Sequence, residues 1–593
     1  MSARVHRQLG GAQVLAEGGV RFRLWAPGCD QILLAPADGT SPPRPMLRQA
    51  DGWHELVAHD LGAGALYRFV LPDGLSVPDP GSRFQPDDVQ GPSEVIDPAA
   101  YDWTVPWAGR AWDEIVLYEL HLGAFSPEGT FRGAMARLDH LAQLGVTGVE
   151  IMPVWDFPGR WNWGYDGVLP YAPDSSYGRP EDFKALVEAA HARGIAVLLD
   201  VVYNHFGPDG NYLPLYAPAY FDPSHQTPWG AAVNFGGPGC EAVRALTIDN
   251  ALYWLEEFGL DGLRLDAVHA IIDDSGRHIL DELAETVRAR LPRPVHLIVE
   301  DEDNTARRLV RQGGQPVHYT AQWNDDVHHV LHVAATGEGE GYYSDYLGRT
   351  DYLARALAEG FVFQGEMMPF RGTARGEPSA DLPPDAFVAF IQNHDQVGNR
   401  AFGDRLGRIT KPEALRALAA TYLLLPQIPM LFMGEEWGAA QPFPYFCDFD
   451  GELGAAIREG RRKEFAHFAA FQDPAQRDRI PDPTAESTFR SSKLDWSAIN
   501  LDHLAHYRAL LDARRGQVTP LIARIARGGE AQVIAPGAVT VRWALAGGGA
   551  LNLAANLSDA SVALAPVSGE VLWEENPAET PLGPWGVRWS LEP

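Results

Sequence analysis

Over residues 1 to about 100, apolar and polar positions alternate in short runs such as "GVRFRLWAP", "QILLAP" and "ALYRFVLPDG", separated by Gly, Pro and Asp. Residues two apart share one face of a strand, so the pattern predicts a small β-sandwich. From about residue 112 the period changes, and short apolar runs alternate with amphipathic stretches. Eight runs predict strands: "EIVLYELHLGAF", "VTGVEIMPVW", "IAVLLDVVYNH", "LDGLRLDAVHA", "VHLIVEDEDN", "YTAQWNDDVHH", "AFVAFIQNHDQVGN" and "IPMLFMGEEWG". Between them, stretches such as "RPEDFKALVEAAHARG" and "EAVRALTIDNALYWLEEFG" carry helical spacing and close on Gly, as helix C-termini often do. Strands alternating with helices over this length predict an α/β fold, a (β/α)8 TIM barrel with inserted loops. Alternation returns after "HLAHYRALLDARRG" in "AVTVRWAL" and "ALNLAANLS". The expected domains are therefore an N-terminal β-sandwich over 1–100, a barrel over 101–516 and a C-terminal β-sandwich over 517–593. A doubly wound open sheet is the rival architecture, but no GxGxxG turn follows a strand.

The eight strand candidates share a second pattern: each begins apolar and turns polar at its C-terminal end. The third ends in Asp200, Asn204 and His205, and the fourth carries Arg264 and Asp266. The fifth ends at Glu300 with "DED" behind it, the sixth in Asn324, Asp325, Asp326 and His328, the seventh in Asn393, His394 and Asp395, and the eighth in Glu435 and Glu436. In a TIM barrel that end is where active sites are built. "DGLRLDAVHA" is the sharpest instance, because a guanidinium and a carboxylate sit two apart within a run that reads as core. Unpaired charges there cost several kcal/mol.

Composition narrows the partners. The 593 residues carry a net charge of −30, which argues against nucleic acid and anionic membrane surfaces, since both need basic patches. The 3 cysteines, Cys29, Cys240 and Cys447, are far apart, so a cytoplasmic protein without disulfides or a zinc knuckle is expected. The most apolar segment, "LRALAATYLLLPQIPMLFM", is broken by Pro426 and Pro429 and reads as a helix followed by a buried strand. Asp200, Asn204 and His205 are ligand-type side chains, but no EF-hand-like or HExxH spacing accompanies them. Neither a metal nor a cofactor is expected.

Carboxylates dominate the strand ends, and aromatics crowd around them: Trp155, Trp161, Trp163 and Tyr165 in "VWDFPGRWNWGYDG", and Tyr203 in "DVVYNH". Flat apolar faces for pyranose rings, acceptors for hydroxyls, and two carboxyl groups for the glycosidic bond are what a sugar-cleaving site needs.

Four segments, "DVVYNH", "GLDGLRLDAVHA", "LIVEDEDN" and "FIQNHDQVGN", resemble in order and spacing the four signature regions of the α-amylase superfamily of glycoside hydrolases. "YELHLGAFSPEGTF", "PVWDFPGRWNWGYDGV", "QWNDDVHH" and "MGEEWGAAQPFPYF" make the chain most similar, within it, to the maltooligosyltrehalose trehalohydrolase family. The resemblance implies Asp266 as nucleophile, Glu300 as general acid/base (with Glu302 as a rival) and Asp395 as third carboxylate. It implies that Arg264 orients Asp266, that His205 and His394 donate to the sugar, and that Tyr165 stacks on it. Trp163, His269, Asp326 and Glu436 complete the expected substrate-binding set. His269 and Ala270 stand where many α-amylases have Lys-His, so leaving-group contacts should differ. The implied substrate is maltooligosyltrehalose, an α-1,4-glucan; the alternatives are a glycogen branching enzyme and a non-catalytic glucan-binding protein.

Overall fold

The computed structural model describes residues 4–39, 41–466, 468–564, 569–577 and 582–593. Its centre is a closed barrel of eight strands in chain order: β1 (Leu117–Leu120), β2 (Gly148–Ile151), β3 (Ala196–Val201), β4 (Gly262–Leu265), β5 (His296–Val299), β6 (Ala321–Trp323), β7 (Phe387–Ala389) and β8 (Ile428–Phe432). Neighbouring strands pair in parallel, and β8 closes on β1. This is the expected (β/α)8 architecture. Helical spacing is realised in α1 (Pro180–His191), α2 (Cys240–Glu257), α3 (Ile279–Arg290) and α6 (Pro412–Tyr422), while α4 (Asp325–Thr336) and α5 (His394–Gly398) begin within the stretches expected as strands six and seven. No helix among the described residues is long and apolar enough to cross a membrane.

The strand period of two sorts the lumen into layers. Leu117 lies below Glu119, Leu198 below Asp200, and Ile298 below Glu300. The lower positions join Ala196, Ala321, Trp323, Ile428 and Met430 in one buried apolar cluster that plugs the barrel. Gly262 sits below Arg264, where a Cβ would come within 2.2 Å of the His296 carbonyl oxygen; only glycine lets β4 and β5 approach so closely. The polar side chains Glu119, Asp200, Arg264 and Glu300 therefore lie above the plug, toward the C-terminal mouth, while His296 lies below it against Trp112.

The N-terminal residues form two facing sheets, one built on Val20–Trp25 and Trp53–Ala58, the other on Leu33–Pro36 and Leu66–Val70. Their aromatics point inward: Phe22, Tyr67 and Phe69 are fully buried. An ionic cluster fastens this sandwich to the barrel. Arg83 reaches Glu257 of α2 at 3.0 Å, Lys184 of α1 lies 3.4 Å from the same carboxyl, and His6 bridges Asp249 and Glu256 at 2.9 and 2.8 Å. Burial alone would push the Glu257 carboxyl up, but Arg83 and Lys184 hold it below the usual carboxylate range. At the other end of the chain, Glu530–Ala535, Ala538–Ala544, Ala550–Asn556, Glu570–Glu575 and Val587–Glu592 form a five-stranded antiparallel sheet. Trp589 donates from it to the Ala420 carbonyl of α6 at 2.9 Å.

Removing one partner of a buried pair leaves the other charge uncompensated. Glu257→Gln should therefore cost about 3–5 kcal/mol, seen as a lowered melting temperature; an unchanged melting curve would show that the cluster does not hold the sandwich.

Candidate active site

Arg264 leaves β4 with its guanidinium fully buried in the lumen. The register places it level with Asp200 of β3, and Nη1 donates to the two Asp200 oxygens at 2.9 and 2.8 Å. The same nitrogen donates to Asp266 Oδ1 at 2.9 Å, while Nη2 lies 2.9 Å from Glu300 Oε2. The Trp323 ring covers the guanidinium face, 4.1 Å from its centroid. One cation thus gathers carboxyl groups from the ends of three adjacent strands.

The environments of Asp266 and Glu300 then diverge. Burial pushes Asp266 up, but Arg264, His205 and the Asn204 amide outweigh it and hold the carboxyl below its usual range. Asn204 Nδ2 donates to Asp266 Oδ2 and to its backbone oxygen, each at 2.8 Å. Burial also pushes Glu300 up, and Asp266 and Asp395 reinforce the shift against Arg264, so its proton is held above the usual range. The Ala267 amide donates to Glu300 Oε2 at 2.8 Å from a left-handed backbone conformation, φ 40°, which costs a residue with a Cβ about 1 kcal/mol or more. Two carboxyls with opposite protonation preferences, side by side, are the arrangement acid/base glycosidic chemistry uses.

Asp395 stands in the first turn of α5 with its side chain 36% exposed, and His394 Nε2 lies 3.7 Å from it. His394 itself is buried behind Tyr165. The Tyr165 hydroxyl accepts from His394 Nε2 at 2.9 Å and donates to Asp200 at 2.7 Å. His205 Nε2 donates to the Tyr165 carbonyl oxygen at 2.9 Å, and its ring stacks on Trp229 at 4.2 Å. His269 sits at the rim, its Nδ1 accepting from the Glu302 amide at 3.2 Å. Glu302, the rival acid, is half-exposed beside His269 and Arg371, whereas Glu300 is the one that touches Arg264.

Three residues of the expected substrate-binding set are buried against protein partners. Asp326 is buried, with its oxygens taken by Arg375, the Tyr346 hydroxyl, the Val362 amide and Asn304. Glu436 is buried, accepting from Tyr118 and His140. Trp163 is 4% exposed, stacked on Phe443 and meeting His394 edge-on. The neighbour Asp325 faces the site instead: Gln396 donates to it at 3.2 Å, and burial, with Glu300 and Asp395 adding to it, raises its carboxyl to about 7. Also absent from the expected set are Glu119, Asp200 and Trp229. Among the described residues the exposed large aromatics are Trp229, Tyr342 and Phe370. Tyr342 donates to Gln396, next to Asp395, and Phe370 adjoins Arg371, which pairs with Asp303. No group of three or more His, Cys, Asp or Glu among the described residues is arranged to hold a metal ion.

Residues 82–214 match the alpha amylase catalytic domain, and residues 526–589 a domain of unknown function, DUF3459. A crystal structure from Salmonella typhimurium, provisionally described as an alpha amylase, superposes with a TM-score of 0.94 at 46% identity, covering 99% of this chain and 100% of that one. The malto-oligosyltrehalose trehalohydrolase of Saccharolobus solfataricus is 42% identical over 504 residues, 84% of this chain and 86% of its own length. The chain belongs to the malto-oligosyltrehalose trehalohydrolase family. It is thus a glycoside hydrolase of the α-amylase type. A 1,4-alpha-glucan branching enzyme from Streptomyces coelicolor is 36% identical, but over only 45% of this chain and 37% of its own.

Because Glu436 accepts from Tyr118 and His140 alone among the described residues, Glu436→Gln should lower thermal stability and leave KM at the parent's value. A raised KM with unchanged melting temperature would return it to the substrate site.

Proposed function

We propose that this chain cleaves, with retention, the α-1,4 bond next to the terminal trehalose unit of maltooligosyltrehalose, releasing trehalose and a shortened maltooligosaccharide. The reading rests above all on Arg264, which touches Asp266 and Glu300 at 2.9 Å each while their surroundings favour opposite protonation states. Asp266, ionised, attacks the anomeric carbon of the glucose on the maltooligosaccharide side. Glu300 gives its proton to the departing oxygen of the trehalose unit, and an Asp266 glycosyl ester forms. Water then attacks the same carbon, Glu300 takes its proton, and the ester breaks to return Asp266. Asp395 binds hydroxyls of the glucose under attack, and Tyr165 supports its ring. Trp229, Tyr342 and Phe370 offer exposed aromatic faces for further sugar rings, with His269 at the rim. The substrate is a neutral soluble sugar, consistent with an acidic surface and a cytoplasmic enzyme.

The branching alternative shares the first half-reaction but passes the glycosyl group to a sugar hydroxyl. Curated relatives aligned over most of their length favour hydrolysis, and the branching relative aligns over less than half. The non-catalytic alternative lacks support, because all three carboxylates are present.

With maltooligosyltrehalose the enzyme should release trehalose and an α-configured maltooligosaccharide, and with amylose it should form no α-1,6 branches. Asp266→Asn should lower kcat by about 10⁴-fold or more. Absence of trehalose, or near-parental turnover in that variant, sinks the reading. Activity should also be bell-shaped in pH. It falls below the usual carboxylate range as Asp266 gains a proton, and above the usual glutamic acid range as Glu300 loses one. A Glu300→Gln variant acting on a maltosyl fluoride, whose leaving group needs no acid, should form the glycosyl-enzyme without the high-pH limb; a retained limb would assign that proton to another group.

A further inference from the structure

Glu119 of β1 and Glu150 of β2 are register partners, both about 1% exposed. Adjacent carboxyls in a dry lumen cannot both ionise without a large penalty. Geometry divides them. Glu119 accepts from His394 twice, from the backbone N–H at 2.9 Å and from Nδ1 at 2.5 Å. Neither Glu150 oxygen has a hydrogen-bond partner among the described residues, and burial with the nearby Glu119 pushes its carboxyl far up. Glu150 is therefore the neutral member and Glu119 the carboxylate that serves His394.

The charged or titratable groups facing His394 are Glu119 from β1, Glu150 from β2, Tyr165 from the loop beyond it, Asp200 and Arg264 from β3 and β4, His121 behind β1, and Asp395 beside it. Burial lowers the imidazole, but Glu119 and Asp395 outweigh it and raise it to about 9.

We infer that Glu119 is a positioning residue of the active site: it holds His394 as an imidazolium, so that Nε2 must donate to Tyr165 and the Tyr165 proton must go to Asp200. A neutral His394 keeping its Nδ1 proton on Glu119 would present a lone pair at Nε2. The Tyr165 hydroxyl would then turn its proton to His394, and Asp200 would lose a donor held at 2.7 Å. Asp200 and Asp266 share Arg264 Nη1, so an Asp200 short of donors draws the guanidinium away from the nucleophile. The path from Glu119 to Asp266 thus runs through His394, Tyr165, Asp200 and Arg264. It deepens the function proposed above and rests on that assignment of Asp266.

Two measurements test this. In the wild-type protein with ¹⁵N-labelled histidine, the His394 signals, identified by their loss in His394→Asn, should report both ring nitrogens protonated at about pH 7.5, above the ordinary histidine value. A neutral ring overturns the inference, whatever the substrate proves to be. In Glu119→Gln, kcat should fall about 10–100-fold, by analogy with the loss when the outer hydrogen-bond partner of a metal-ligating histidine is removed. The loss should deepen as pH rises through about 5–8, where an unassisted imidazolium titrates, and Glu119→Asp should recover part of it. A parental pH profile in a soluble Glu119→Gln variant overturns the inference; if that variant does not fold, the wild-type histidine signals decide. Glu150→Gln, a neutral substitute for a neutral acid, should keep the parental profile, and a shifted profile would overturn the division of charge. Wild-type protein that releases no trehalose would refute the substrate assignment while leaving the histidine measurement intact.

Discussion

A buried guanidinium is the constraint around which this active site is arranged. Moving Arg264 from water into the barrel lumen costs several kcal/mol, recovered only if its donors meet acceptors in good geometry. The closed barrel supplies acceptors for Nη1 and a carboxylate 2.9 Å from Nη2 because its register is fixed. Asp200 is level with Arg264 on the adjacent strand, and Asp266 and Glu300 emerge just beyond the ends of β4 and β5. The apolar plug beneath excludes water from below, and Trp323 covers the flat face. Fold and chemistry share one requirement: an ion that would destabilise the core elsewhere is stable here because it ionises a carboxylate.

The same low dielectric makes every neighbouring carboxyl sensitive to its own partners. Asp266 has Asn204 and Arg264 donating to it, and its charge is favoured; Glu300 is buried beside other acids, and its proton is favoured. Identical chemical groups acquire opposite roles by placement alone. The strained Ala267 amide, bonded to Glu300, ties the backbone directly after Asp266 to the second carboxyl, so the two cannot drift apart independently.

Much of this was legible in the sequence. Eight apolar runs with polar C-terminal ends mark barrel strands, and a charge inside a core-like run marks Arg264. Glu119 gives the same signal in "LYEL", where every residue is buried, but its role is not legible there because a single glutamate lacks a visible counter-ion nearby in sequence. Its partner His394 lies 275 residues away. The partners of Asp326 were not legible for a different reason. The chain changes from strand to helix at Asp325, with Asn324 as the cap, so successive side chains turn by about 100° rather than alternating across a sheet. That turn leaves Asp325 toward the site and carries Asp326 into Arg375. Trp163 belongs to a cluster of tryptophans whose composition suggests a sugar platform, but only tertiary contacts reveal that it packs beneath His394. The aromatics left exposed, Trp229, Tyr342 and Phe370, lie in turns and one short 3-10 helix, too short to show a periodicity.

The ion cluster beneath the N-terminal sandwich has a consequence for synthesis. Arg83 and Glu257 are 174 residues apart, so at about 5–20 residues per second the sandwich waits about 9–35 seconds on the ribosome before its anchor is made. Until α2 emerges, a guanidinium destined for burial stays hydrated, and the face that will meet the barrel is open to chaperones. The nascent chain thus assembles its lid before the vessel it closes.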